Sequence, residues 1–341
     1  MSANCEAQMQ IEKEVKLDFN DVLIKPRPSE LKSRAEVNLE VSYLCKHANK
    51  IIAGFPLIVA NMSCVGTIPM AKALHNYGFF VALHKFIEEK RLVEFYNSIE
   101  SQNSFYTLGL KDDLEKLDRV IDSSKYLNKI NLDVANGYMY SFLDYIKKIR
   151  QRYPNFIIMA GNVATPEGVE NIVKAGADIA KCGIANGGHC ETKNKAGIGY
   201  KQFSVSVECG QAANELNALC CSDGGSKSPA DICKALGGGS HFVMAGGLFA
   251  ATDECESEWK EENGIKKMLM YGMSSKVAND KYCGGLKSYR ASEGRESWID
   301  YKGPVSHIAV DIRGGVASCC TYTNTKNLEN LRKNCIFTVG K

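Results

Sequence analysis

One thiol in this 341-residue chain stands where covalent chemistry would need it. Cys190 sits in Lys181-Cys182-Gly183-Ile184-Ala185-Asn186-Gly187-Gly188-His189-Cys190-Glu191-Thr192-Lys193, where an apolar run gives way to a glycine-rich loop. Gly183, Gly187 and Gly188 let the backbone fold tightly around the sulfur. A thiolate is a nucleophile, and a thiol with an ordinary pKa near ~8.5 needs a group to take its proton. His189 is adjacent, but neighbouring side chains point apart. Thr192 and the distant Glu293 suit a proton relay better, since a carboxylate acting through a hydroxyl can remove or deliver a proton. Spacing alone does not bring Glu293 to Cys190. The chain has 14 cysteines and no C-x-x-C pair, so zinc ribbons and redox dithiols are not expected. Most of these thiols read as small buried hydrophobes in a reducing compartment.

A second set of residues reads as an anion cradle. Gly224 and Gly225 follow Asp223, and Gly246 and Gly247 follow another apolar run. Their backbone N–H groups suit a phosphate. Asp223 cannot serve the phosphate, but it can accept hydrogen bonds from two ribose hydroxyls, so a nucleoside monophosphate fits better than a sugar phosphate. The bland alternative is that these glycines only make tight turns. No G-x-G-x-x-G follows a strand, so a Rossmann domain is unsupported. A dinucleotide would have to lie across the mouth of the fold, with Arg34, Lys85, Asp133 and Arg290 as candidate polar contacts.

The elements that position these residues alternate along the chain. Apolar runs at 57–61, 79–83, 105–108, 130–134, 156–161, 178–183, 218–223 and 241–246 read as eight strands, with helical patterns between them at 92–98, 112–121, 141–152, 166–175 and 229–236. Eight β-α units predict a closed (β/α)8 TIM barrel, an α/β fold whose chemistry sits on loops after the strand C-termini. Nearly every predicted strand ends in a polar or glycine-rich cluster. Residues 1–15 read as a flexible N-terminus, and 16–341 as one catalytic domain with an N-terminal extension packed on the barrel. More than 90 residues follow the eighth strand. They predict an active-site flap and a final helix near 328–334.

Composition excludes other classes. The 42 basic and 39 acidic residues give a net charge of +3 without a basic run, so no nucleic-acid partner is expected. No apolar stretch reaches the ~20 residues of a bilayer span, and the start of the chain has no apolar signal core, so no membrane partner is expected and the protein reads as cytoplasmic.

Several longer motifs occur in order: Leu17-Asp18-Phe19-Asn20-Asp21-Val22-Leu23, Leu31-Lys32-Ser33-Arg34-Ala35-Glu36-Val37, Leu132-Asp133-Val134-Ala135-Asn136-Gly137-Tyr138, Met159-Ala160-Gly161-Asn162-Val163, Ser222-Asp223-Gly224-Gly225, Tyr271-Gly272-Met273-Ser274-Ser275 and Tyr289-Arg290-Ala291-Ser292-Glu293-Gly294. With these, the chain from Lys16 to Lys341 resembles the GMP reductases of the IMP dehydrogenase/GMP reductase family. The resemblance implies conversion of GMP and NADPH to IMP, ammonia and NADP. It implies attack of Cys190 on C2 of guanine, with Thr192 and Glu293 moving the proton, and a covalent thioimidate. It assigns GMP to Asp223, Gly224, Gly225, Gly246, Gly247, Gly272, Met273, Ser274, Arg290, Ser292 and Gly294. NADPH falls to Ser33, Arg34, Lys85, Asp133, Val134, Ala135, Tyr289 and Ser318, Cys319, Cys320 and Thr321. A monovalent cation, usually potassium, would use carbonyls of the cysteine loop, among them Gly187 and Cys190. A homotetramer is implied.

The chain departs from the family pattern around the nucleophile. The usual Gly-Pro-Gly-Ser-x-Cys-Thr-Thr-Arg reads Ala185 to Lys193 here, so Gly188 replaces a serine that helps hold phosphate and Ala185 replaces a cation-site glycine. Ser63 replaces an acid, and Phe86 replaces the last residue of His-Lys-His. Weaker phosphate binding and an altered cation site are the expected consequences. Two alternatives stay open: a catalytically weak nucleotide-binding paralogue, and an IMP dehydrogenase, which usually carries a domain inserted after the second unit.

Overall fold

The computed structural model describes residues 11–282, 284–285 and 291–340. Eight parallel strands close into a barrel: β1 (Leu57–Val59), β2 (Phe80–Ala82), β3 (Ser104–Leu108), β4 (Lys129–Asp133), β5 (Ile157–Val163), β6 (Ile179–Cys182), β7 (Leu219–Asp223) and β8 (Phe242–Ala245). The ring closes where Ala245 of β8 pairs with Val59 of β1, and Leu219 of β7 opposite Ile179 of β6 continues the same ladder. Each strand is buried on both faces, which is why the sequence shows apolar runs rather than alternation. All eight predicted strands are present.

A helix follows each strand: α1 (Ile68–Leu74), α2 (Glu89–Tyr96), α3 (Leu114–Asp122), α4 (Tyr140–Arg152), α5 (Pro166–Ala175), α6 (Gln202–Glu215), α7 (Pro229–Gly238) and α8 (Val305–Tyr322). Their starts are written locally. Thr67, Thr165 and Ser228 each accept a backbone N–H of the first turn, and a proline opens each of these helices. The final helix expected near 328–334 is present as a 3-10 turn (Leu328–Asn330) running into one α-helical turn (Leu331–Asn334), but the helix that closes the barrel is α8. Gly314 and Gly315 hide α8 in the sequence. Gly315 is there because a Cβ would come 2.6 Å from Pro229 Cβ, so α8 and α7 touch at that point.

The predicted flap is a three-stranded antiparallel sheet, β9 (Trp259–Glu262), β10 (Ile265–Tyr271) and β11 (Glu296–Asp300), with a short helix at Lys276–Tyr282. The N-terminal extension packs on the barrel as expected. Leu17 N–H donates to Ser204 Oγ, Val22–Ile24 pairs with Phe337–Val339, and Lys234 donates to the Phe19 carbonyl. Among the described residues no helix is long and apolar enough to cross a membrane.

One buried ion pair fastens the barrel at the end opposite the site. Asp178, fully buried just before β6, accepts from the N–H groups of His47, Ala48 and Ile158 at 2.7, 3.0 and 2.9 Å. Arg150 of α4 donates at 2.6 Å to Asp178 Oδ2, the oxygen that also accepts from Ile158, and to the carbonyls of Gly176, Pro154 and Phe156. Removing one member of such a pair strands the other in a site without water. Arg150→Met should therefore cost about 3–5 kcal/mol, read as a lower urea midpoint at unchanged m value; a loss under about 1 kcal/mol would refute this reading.

Candidate functional site

The strand C-termini surround an open cavity of about 510 Å³, a size suited to a nucleotide. Cys190 lines it and is partly exposed. Its loop leaves β6 through Gly183, whose φ is +149° and where an added Cβ would lie 1.9 Å from the Asp223 carbonyl oxygen. Only glycine lets the ends of β6 and β7 approach so closely.

The loop is pinned from below by residues the sequence did not flag. Asn186 Nδ2 donates to the Tyr200 carbonyl at 2.7 Å and to Gln202 Oε1 at 2.6 Å. Gln202, fully buried at the start of α6, donates in turn to the Cys182 carbonyl and to Ser222 Oγ. Asn186 is one of the departures from the family pattern, and here it ties the loop to the barrel. Ala185 takes a φ of +67°, the left-handed region where a side chain costs about 1 kcal/mol. The glycine-like backbone shape thus persists at this substituted position.

From above, the flap clasps the same loop. Glu191 N–H donates to the Glu293 carbonyl at 2.7 Å, and Arg295 N–H to the His189 carbonyl at 2.9 Å, so Cys190 faces Gly294 in an antiparallel bridge. Gly272 and Gly294 permit this. A Cβ on Gly272 would come 2.7 Å from the His189 oxygen, and one on Gly294 would come 2.4 Å from Ser275 N. The contact places Glu293 over Thr192, 101 positions away in sequence, with Oε2 and Oγ1 2.6 Å apart; Cys190 Sγ lies 3.3 Å from the same Oγ1. An ionised carboxylate only accepts, so Thr192 donates to Glu293 and its oxygen is left to accept from the thiol. The result is a continuous hydrogen-bonded path from the thiol to the Glu293 carboxylate. His189 takes no part: its Nε2 shares a 2.6 Å hydrogen bond with Ser297 Oγ, and burial and Arg295 both push its pKa down, so the ring stays neutral at pH 7.

Below the cavity floor lies Lys181, 1% exposed, which the sequence reading passed over. Its ammonium meets Asp133 of β4 and Asn162 of β5, and lies 3.5 Å from Asp223 of β7. Asn162 Nδ2 also donates to Asp223 at 2.8 Å. Burial disfavours the Lys181 charge, but Asp133 and Asp223 outweigh it and hold its pKa above the usual range. Burial likewise acts to raise Asp133, and Lys181 overrides it and keeps the carboxyl below its ordinary value. Both contacts to Asp223, which lines the cavity, fall on Oδ2 and leave Oδ1 free of them.

The structure divides the remaining predicted residues into groups. Asp223, Gly224, Gly225, Gly246, Gly247, Gly272, Met273, Ser274 and Gly294 line the cavity, as do Asp133, Val134, Ala135 and Gly187. Ser292 does not line it; its hydroxyl reaches the Gly294 carbonyl. Lys85 is turned toward Asp112 at 3.2 Å. Ser33 caps the turn Arg34–Glu36, which packs on α8, and Ser318, Cys319, Cys320 and Thr321 sit in the last turns of α8. The helix starts three residues after Lys302, which lines the cavity, and its 18 residues span about 27 Å, so Ser318 to Thr321 lie at its end away from the cavity. Tyr289 and Arg290 fall outside the described residues. Ser63 donates to Tyr271 Oη at 3.0 Å under the flap, and Phe86 stacks on Tyr282 with ring centroids 3.9 Å apart, so both substituted positions brace the flap.

Fold and site together define a barrel enzyme with a partly exposed cysteine in a glycine-walled cavity at the strand C-termini. Residues 16–340 match the IMP dehydrogenase / GMP reductase domain. The chain is 46% identical to the GMP reductase of Caenorhabditis elegans over 332 residues, covering 96% of this chain and 92% of that protein. It is 42% identical to human GMP reductase 1 over 330 residues and to the GMP reductase of Escherichia coli O81 (strain ED1a) over 333, covering 96% of each chain. The chain belongs to the IMP dehydrogenase/GMP reductase family. The connection from β2 to β3 holds α2 and a 3-10 turn and no inserted domain.

Lys181 generates a pH prediction. A carboxyl held below its unfolded pKa adds stability above about pH 4, and that stability is lost as pH falls through the folded value. Lys181→Met should be less stable than wild type at pH 7, and the gap should shrink as pH drops below about 4. Urea titrations at stepped pH read this directly; a gap that widens on acidification would count against the ion-pair account.

Proposed function

We propose that the chain catalyses the reductive deamination of GMP by NADPH to IMP and ammonia through a covalent intermediate on Cys190. The observation that carries this reading is the ordered contact Cys190–Thr192–Glu293 on the wall of a nucleotide-sized cavity. Asp223 would accept from the ribose hydroxyls, and the N–H groups of Gly224, Gly225, Gly246 and Gly247 would face the phosphate, with the base reaching Cys190.

In the forward direction the thiol proton passes through Thr192 to Glu293 as sulfur bonds to C2. The same path returns that proton to the 2-amino nitrogen, the C2–N bond breaks and ammonia leaves. NADPH supplies, when bound, a hydride for C2. The C2–S bond then breaks, the ring regains its double bond and Cys190 keeps the electron pair. Overall, GMP, NADPH and one proton give IMP, ammonia and NADP. Holding both partners in one cavity supplies much of the rate gain. Val134 and Ala135 offer an apolar wall suited to the nicotinamide, beside Asp133.

Ser33, Arg34 and Ser318–Thr321 would complete a dinucleotide site only on a neighbouring copy, in keeping with a homotetramer. A potassium ion would draw on the Gly187 and Cys190 carbonyls; the Gly187 oxygen already accepts the Cys190 N–H at 2.9 Å and keeps a second lone pair. The free cysteines, most of them buried, favour a reducing compartment such as the cytoplasm.

Incubation with GMP, NADPH and potassium should consume NADPH and release ammonia and IMP in equal amounts. Cys190→Ala should abolish turnover. Glu293→Gln should lower kcat by about 10²- to 10⁴-fold with little change in KM for GMP. Tight GMP binding by wild type without turnover, and without an adduct by intact mass, would instead identify a nucleotide-binding paralogue.

A further inference from the structure

The phosphate end of the cavity is walled by bare backbone. Positions 187–188, 224–225 and 246–247 are all glycine, and a Cβ added at Gly224 would lie 3.0 Å from Gly187 N, so the cysteine loop and the β7 loop abut there. A Cβ at Gly188 or Gly247 would meet nothing within 4 Å; both face open space. Such a cradle offers N–H dipoles and no side-chain charge, whereas a phosphate monoester carries close to two negative charges at neutral pH.

The carboxylates on the cavity wall cannot help and are already engaged: Asp133 and Asp223 with Lys181, Glu293 with Thr192. Two lysines line the same cavity. Lys302 is committed to structure, donating to the carbonyls of Gly247 and Leu248 at 3.2 Å each, and burial pushes its pKa down. Lys227 differs. Its backbone N–H is fixed on Asp231 Oδ2 at 2.8 Å, two residues beyond Gly225, and among the described residues no carboxylate or carbonyl takes its ammonium. An unengaged lysine held at the rim of an all-backbone cradle is placed to neutralise an anion inside it.

We propose that Lys227 is the side-chain anchor for the 5′-phosphate of the bound nucleotide and takes over a task that the cysteine loop, with glycine at 188, performs with backbone alone. The assignment rests on the reading of the cavity as a GMP site. It makes Lys227 the side-chain contact that guanosine lacks, since guanosine keeps the base and ribose contacts and loses those to the phosphate.

Calorimetric binding of GMP and of guanosine, without NADPH, tests it apart from turnover. Lys227→Ala should weaken GMP about tenfold or more and leave guanosine unchanged, and Lys227→Arg should keep most of the affinity. Gly188→Ser, for which there is room, should restore part of the GMP affinity in the Lys227→Ala background. Selective loss of GMP supports the assignment whether or not the wild type turns over. If Lys227→Ala binds GMP as tightly as wild type, or weakens GMP and guanosine alike, the assignment is wrong. A wild type that turns over GMP beside a Lys227→Ala variant with unchanged KM would overturn this assignment alone and leave the functional reading intact.

Discussion

A single ammonium organises the floor of the site. Lys181 comes from the middle of a strand that is otherwise apolar, and it draws together the ends of four consecutive strands: Asp133 of β4, Asn162 of β5, its own β6 and Asp223 of β7. A charge removed from water in this way is costly unless it is fully paired. Pairing it requires two carboxylates, and two carboxylates this close would repel without it. Each group is therefore tolerable only in the presence of the others. The consequence for the site is geometric. Asp223 presents one oxygen at a fixed height, and β6 delivers Gly183 against the Asp223 carbonyl, from which the cysteine loop departs.

The loop itself depends on contacts from two sides. Asn186 and Gln202 hold it to the barrel, and Gly294 with its neighbours holds it to the flap. The residues that depart from the family pattern have defined places in this arrangement. Asn186 supplies two hydrogen bonds, Ala185 keeps a left-handed turn, Ser63 bonds the flap tyrosine and Phe86 stacks under the flap helix. Asn186, Ser63 and Phe86 add contacts to the frame, while Ala185 holds its turn at a backbone cost. Gly188 is the exception, since it removes a side chain and leaves open space.

The barrel was legible because strands buried on both faces must be apolar along their length, and their loops must be polar where they meet solvent or substrate. The closing helix was not, because Gly314 and Gly315 weaken its pattern, Gly315 for the sake of contact with Pro229. α6 was hidden for a related reason: it buries Gln202, Ser204 and Ser206, which read as surface residues. Cys190 and Thr192 stand two positions apart and could be paired by eye. Glu293 could be joined to them only through the resemblance, because the strand pairing that brings it close is tertiary. Lys181 gave a faint signal, a lysine inside an apolar run. Charge in such a place calls for a partner, and Asp133 and Asp223, both at strand ends, were the carboxylates in reach.

The proposed relay is divided between two parts of the chain that fold by different contacts. The sulfur and the hydroxyl ride on the barrel, while the carboxylate arrives just ahead of the returning strand of the flap. Barrel integrity and acid–base competence are therefore separable properties. A molecule whose flap has been nicked by a protease, or has peeled back locally, would keep its cradle and its cysteine, and could still hold a nucleotide as an inert complex. Its thiol would simply have nowhere to send a proton. The coupling of the two parts thus runs through a few short contacts around the antiparallel bridge between Cys190 and Gly294.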